Sequence, residues 1–247
     1  MNLLELNGDD RLIAEAISQK VKKNNIFLSF CAKTNLSFAD KVVSWISNLR
    51  FFVPNRFGTI FQRETDKDKE LILKIMSEAD FGIVDYQSKV IDYGDGLYLR
   101  TAKAIHSISS PDAPDDQSLD WSEESQGTQY YVNIMYRAKK IIEKGGVMIV
   151  DELESSLHPF LVDHLISLFN DVNHNKKNAQ LIFTSHDVTI PDRHSFSKDQ
   201  VWITSKNPNT GCTTITPLSD YDLPDEYSFK DLYLGGFIGG LPMTRFS

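Results

Sequence analysis

Apolar residues along the chain fall in two rhythms. RLIAEAISQKVKK spaces Leu12, Ile13, Ala16, Ile17 and Val21 as one face of an amphipathic helix, with Asp9 or Asp10 to cap it. IFLSF, just after, suits a short strand or part of another helix. SFADKVVSWISNL sets Phe38, Val42, Trp45, Ile46 and Leu49 on a second helical face, and the chain turns around Pro54, Asn55 and Gly58. DKDKELILKIMSEA gives a third helix, with Leu71, Ile72, Ile75, Met76 and Ala79 inward. From FGIVDYQSKV onward the rhythm shifts toward strands.

SSPDAPDDQSLDWSEESQ, residues 109–126, breaks both rhythms. It holds six acids, no bases and two prolines, so it predicts an exposed loop ending at a helix start. TQYYVNIMYRAKKIIEK is that helix, with Tyr131, Ile134, Met135, Ala138, Ile141 and Ile142 on one face and Gly145 and Gly146 as its stop. Strand VMIV, helix PFLVDHLISLFNDV with Pro159 in its first turn, and strand QLIFT follow. This alternation predicts an α/β core with parallel strands. DQVWITSKNPNTGCTTITPL reads as a hairpin around Asn207 to Gly211. The expected organisation is a helix-rich region with some strands (1–108), an acidic loop (109–125), the α/β core (126–217) and a C-terminal segment (218–247). No internal repeat or low-complexity tract is present.

Composition changes this picture little. With 41% hydrophobic and 24% charged residues, the 247-residue chain has ordinary globular usage and room for one large domain or two small ones. A net charge of −8 gives no support to a dedicated polyanion surface, though a local basic patch for nucleic acid stays open. Cys31 and Cys212 share no metal-ligand spacing and read as free thiols of a reducing compartment. No apolar run approaches the ~20 residues that span a bilayer, and the start lacks a signal peptide's pattern. The expected location is the cytoplasm.

The chemistry begins where VMIV runs into Asp151 and Glu152. Ligands of open parallel sheets bind at the carboxyl ends of the strands. There Asp151 suits Mg²⁺, directly or through water, and Glu152 suits polarisation of an attacking water. The bland alternative is a strand leaving the core into a polar turn. QLIFTSHD ends in Thr184, Ser185 and His186, and a neighbouring strand would bring His186 beside those acids to meet a terminal phosphate. A lone His is more often structural or simply exposed. A third element, SEESQGTQ, opens a helix with Ser125, Gly127 and Thr128, a ready anion site whose ordinary alternative is a helix cap. The nearby acids would repel a phosphate unless they point away.

In this order the three elements resemble the second half of an ABC-type ATPase head. VMIVDE resembles the Walker B strand, ESSLHP the D-loop, FTSHD the strand with the switch histidine, and SQGTQ a degenerate signature motif with Thr128 in place of the usual Gln. The combination is most similar to bacterial AAA-annotated ATPases labelled ATP/GTP phosphatases or abortive-infection proteins, akin to OLD-family and SMC-like heads. KDQVWITSK, LSDYDL and DLYLGGFIGGLP resemble that family's tail. The resemblance spans residues 25–245 and is strong from 119 onward.

It implies an α/β ABC-type head portion with ATP and Mg as cofactors, working in pairs. Asp151, Glu152 and His186 would act in cis. Ser125, Gly127 and Thr128 would meet nucleotide across a head-to-head dimer, with Ser155 and Ser156 at the seam. A role in phage defence or DNA processing, through an effector protein, is implied by resemblance alone.

One departure is large: no GxxxxGK[ST] phosphate loop occurs in the sequence. GGFIGGLP and NGDDRL hold glycines but no Lys. The expectation is a carboxyl-terminal portion that hydrolyses ATP only when a second half, in the same polypeptide or a partner chain, supplies the loop. A non-hydrolytic dimerisation or docking module is the alternative. A transporter motor fits poorly with the long helical region before the signature and with the WITSK tail.

Overall fold

The computed structural model describes residues 37–47, 49–52, 61, 65–79, 81–92, 98–107, 118–223 and 228–241. The expected helix at 11–23, the IFLSF segment, the turn at 54–58 and Cys31 lie outside the described residues. The elements are α1 (Ser37–Ser47), β1 (Leu49–Phe52), α2 (Asp66–Glu78), β2 (Ile83–Asp92), β3 (Tyr98–His106), β4 (Ser118–Asp120), α3 (Gln126–Lys144), β5 (Val147–Val150), α4 (Pro159–Asn170), β6 (Gln180–Phe183), a short α5 (Ile190–Arg193), β7 (Trp202–Lys206), β8 (Thr213–Pro217) and α6 (Phe229–Leu234).

Three strands form a parallel sheet in the order β1-β5-β6. The expected mixed α/β class with a parallel core sheet is what the chain adopts. β2, β3 and β4 form a separate antiparallel sheet, and β7 and β8 form the expected hairpin. Among the described residues no helix is long and apolar enough to cross a membrane.

The main core lies between the parallel sheet and α3 and α4. Met148 and Val150 of β5 are buried in it with Tyr131, Ile134, Met135 and Ala138 of α3 and Val162, Leu165 and Ile166 of α4. The alternate positions of the sheet behave differently, because successive side chains point to opposite faces. Phe51, Ile149 and Ile182 are in register across the three strands, yet Phe51 and Ile182 are exposed. Parallel sheets are ordinarily covered on both faces. Here one face is packed, and on the other Phe51 and Ile182 are left exposed among the described residues.

α3 is the helix that carries the candidate signature. Ser125 caps its start by accepting the Thr128 N–H at 3.0 Å. Gly145 ends it at φ 74°, and its N–H donates to the Ile141 carbonyl. α2 docks on α3 through the shared apolar core, the Glu78–Lys139 ion pair at 2.9 Å and the buried carboxylate of Asp68. That carboxylate accepts the Thr65 N–H and hydroxyl, closing a reciprocal cap with Thr65. Its other oxygen takes the Tyr136 hydroxyl at 2.9 Å and the Lys140 ammonium at 2.7 Å.

SFADKVVSWIS is helical as expected, and Val42, Trp45 and Ile46 of its apolar face are exposed. Periodicity reports that a helix has an apolar face, not that anything covers it. Leu49 belongs to the strand LRFF and not to that helix. A four-residue strand carries too little pattern to show in sequence. The acidic stretch ends in order at 118–123. β4 pairs with β3, and Trp121 is buried edge-on against Phe61, ring centroids 5.3 Å apart.

Candidate functional site

β5 and β6 lie side by side, and the ladder runs one step past their ends. The Thr184 N–H donates to the Val150 carbonyl and the Leu153 N–H donates to the Thr184 carbonyl, both at 3.0 Å. Leu153 is fully buried and anchors the turn, while Asp151 and Glu152 just before it stay exposed at the carboxyl edge. The strand thus ends in two acids because the hydrophobic anchor comes one turn later. Glu152 sits at φ 49°, in the left-handed region that non-glycine residues rarely occupy. Such positions persist where the surroundings hold them, often at functional sites.

Three acids meet two residues that follow β6, Thr184 and His186. The Thr184 hydroxyl donates to Asp151 Oδ1 at 2.6 Å and accepts the Glu152 N–H at 2.8 Å. His186 Nε2 lies 3.7 Å from Glu152 Oε1, with both side chains largely in solvent. The His186 N–H donates to Glu154 Oε1 at 2.6 Å, while Glu154 Oε2 is buried with no partner among the described residues. Burial raises the pKa of Tyr130 well above its ordinary value, and the charge of Glu154 adds to the shift. The phenol therefore stays protonated, donating to the Leu153 carbonyl at 3.4 Å.

The loop after His186 is pinned. The Arg193 guanidinium bridges Asp163 of α4 at 3.0 Å and Asp187 at 3.1 Å. Burial works to raise the Asp187 pKa, but hydrogen bonds from Thr189 and the Arg193 charge outweigh it and hold the carboxyl low. Asp192 accepts the Phe229 and Lys230 N–H groups, which ties the start of α6 to the same segment.

The signature-like turn packs on the D-loop-like turn of the same chain. A Cβ on Gly127 would stand 2.7 Å from the Ser156 carbonyl oxygen, closer than real contacts allow. Ser156 itself has φ 63°. Gly127→Ala is accordingly expected to force these two turns apart and cost about 1–3 kcal/mol, read as a lower midpoint in urea unfolding. The acids that threatened an anion here are turned away. Glu124 is buried and bonded to His106 at 2.6 Å, and Glu123 accepts the Asp120 N–H.

The structure therefore brings Asp151, Glu152 and His186 together. Ser125, Gly127, Thr128, Ser155 and Ser156 gather at the neighbouring turns. Ser125 is used as a cap, and Thr128 is buried with its hydroxyl bonded to Ser125 at 2.8 Å, so it faces Ser125 rather than solvent. Sequence reasoning gave no role to Thr184 or Glu154. Thr184 stood in view at the strand end, but only the register shows that its hydroxyl reaches both acids. Glu154 lay inside ESSLHP with nothing to say it folds back on His186.

Among the described residues no three His, Cys, Asp or Glu side chains cluster as a metal cage. Mg²⁺ held with a nucleotide needs one or two protein ligands, with phosphates and waters completing its octahedron. An exposed Asp151 with a hydroxyl at 2.6 Å fits that donor set.

A family model described as "AAA domain, putative AbiEii toxin, Type IV TA system" matches residues 50–192, more than half of the chain. The chain belongs to this AAA family. The resemblance read from VMIVDE, SQGTQ and FTSHD is thereby borne out, and the matched span contains all three. A search of the curated proteins finds no match. Among solved structures, one chain from "Structural biochemistry of ATP-driven dimerization and DNA stimulated activation of SMC ATPases" is similar at a TM-score of 0.41 and 12% identity, covering 68% of this chain and 91% of that one.

Proposed function

We propose that this AAA-family chain supplies the hydrolytic edge of a Mg-dependent ATPase whose phosphate-binding loop comes from outside residues 1–247. The observation that carries the reading is the meeting of Asp151, Glu152 and His186 at the carboxyl ends of two adjacent parallel strands. Bound Mg²⁺ would screen the charge of the phosphates. Asp151 is the residue that would hold the metal. Glu152 accepts the proton of an attacking water, and His186, within ion-pair reach of Glu152, contacts the terminal phosphate. Ser125 and Gly127 meet the nucleotide of a facing head, Thr128 steadies Ser125, and Ser155 and Ser156 lie at the seam. Among the described residues Phe51 and Ile182 stay exposed on one sheet face, which suits contact with a further segment or partner. A defence output is in keeping with the toxin–antitoxin wording of the family description, and any such output belongs to the assembly rather than to these residues.

Those same exposed residues favour a second reading, a docking module without turnover. Purifying the protein with its partners from its natural locus separates the two. The ATPase reading expects Mg-dependent ATP hydrolysis by the complete assembly and little by the 247-residue chain alone. The docking reading expects no turnover from either.

A further inference from the structure

We infer that Thr184 is a positioning residue, whose hydroxyl sets both acids of the proposed hydrolytic edge. The inference rests on the reading of Asp151 and Glu152 given above. The direction of both hydrogen bonds is forced. An ionised Asp151 can only accept, so the Thr184 hydroxyl proton points at Asp151 Oδ1, 2.6 Å away. The lone pairs left on the hydroxyl oxygen then face the Glu152 N–H at 2.8 Å. One rotor is locked from two sides.

The consequence falls on Glu152. Its φ of 49° is unfavourable for a residue with a Cβ, so the peptide stays there while something holds it. The bond from the Glu152 N–H to Thr184 is one such hold; the buried Leu153 on the next residue and the Ser155 N–H bonded to the Glu152 carbonyl at 2.9 Å are others. Without the hydroxyl, the exposed Glu152 N–H turns to water and the carboxylate direction is no longer fixed. Asp151 loses the donor that fixes its Oδ1. Val at this position keeps the strand. The Thr184 N–H and carbonyl make the ladder bonds, and its side chain contributes only the hydroxyl to these contacts.

The test compares Thr184→Val with Thr184→Ser. In the 247-residue chain, backbone amide hydrogen exchange by NMR reads the hold on Glu152 without any nucleotide. Val is expected to speed exchange of the Glu152 N–H by ~10-fold, the loss of one modest hydrogen bond, while the Leu153 and Thr184 amides keep their protection. Ser is expected to restore it. In the complete assembly, Val is expected to lower kcat by ~10–100-fold with nucleotide affinity little changed, and Ser to recover most of that loss. Unchanged exchange at Glu152 in the Val variant overturns the inference. So does full activity in a Val variant when Glu152→Gln is inactive. If the wild-type assembly shows no turnover, the proposed function falls. The exchange result then still decides whether Thr184 sets Glu152. If Val fails to fold, Ser showing wild-type exchange and kcat supports the hydroxyl, and Ser losing both contradicts it.

Discussion

Replacing Glu152 by Gln is expected to cut steady-state ATP hydrolysis by the complete assembly ~100-fold or more, the usual scale of a general base. Nucleotide binding is expected to survive. The substitution keeps the size and hydrogen-bonding reach of the side chain and removes its capacity to take a proton. The backbone of Glu152 is held through its N–H by Thr184, which an amide at the side-chain terminus leaves untouched. Single-turnover hydrolysis and equilibrium binding of a nucleotide, measured side by side, check this. Parallel loss of binding and turnover would place Glu152 in ground-state binding instead.

Asp68→Ala is expected to produce a large loss of stability for a polar residue, about 3 kcal/mol. One side chain caps α2, binds Tyr136 and neutralises Lys140, so its removal undoes three contacts at once. Burial on its own raises the Asp68 pKa. Hydrogen bonds from Lys140, Thr65 and Tyr136 outweigh it and hold the carboxyl well below its ordinary 3.8. A folded value below the unfolded one means that the ionised form is bound more tightly in the native state. The contribution is therefore complete above the unfolded value and declines as pH falls through about 4 toward the lower folded value. Urea titrations of wild type and Asp68→Ala should show a constant gap in stability near neutrality that narrows below about pH 4.

The half of the chain after residue 126 was legible because its elements are long, periodic and punctuated. α3 runs from a Ser cap to a Gly stop, α4 opens on Pro159, and β5 and β6 are apolar runs of parallel-sheet type. The first half was harder for physical reasons. LRFF is four residues with no alternation. Trp121 is a single aromatic among acids, yet burying its large surface outweighs the polar neighbours and orders 118–123. Val42, Trp45 and Ile46 show the reverse: a correct helical face with nothing among the described residues to cover it.

At the candidate site the same division holds. Asp151, Glu152 and His186 announce themselves as polar residues closing apolar strands. Thr184 and Glu154 do not, because their importance lies in contacts across 32 or 33 positions of sequence. Thr128 carried a plausible hydroxyl, but helix geometry turns it inward onto Ser125.

The central claim is that nucleotide is hydrolysed at the edge formed by the ends of β5 and β6. Its most direct test is a structure of the complete assembly carrying Glu152→Gln, trapped with ATP and Mg²⁺. The account predicts the terminal phosphate at that edge, with the metal on Asp151 or on its water and His186 in hydrogen-bond reach of the phosphate. A nucleotide bound elsewhere, with Asp151 and His186 out of reach of its phosphates, would contradict it.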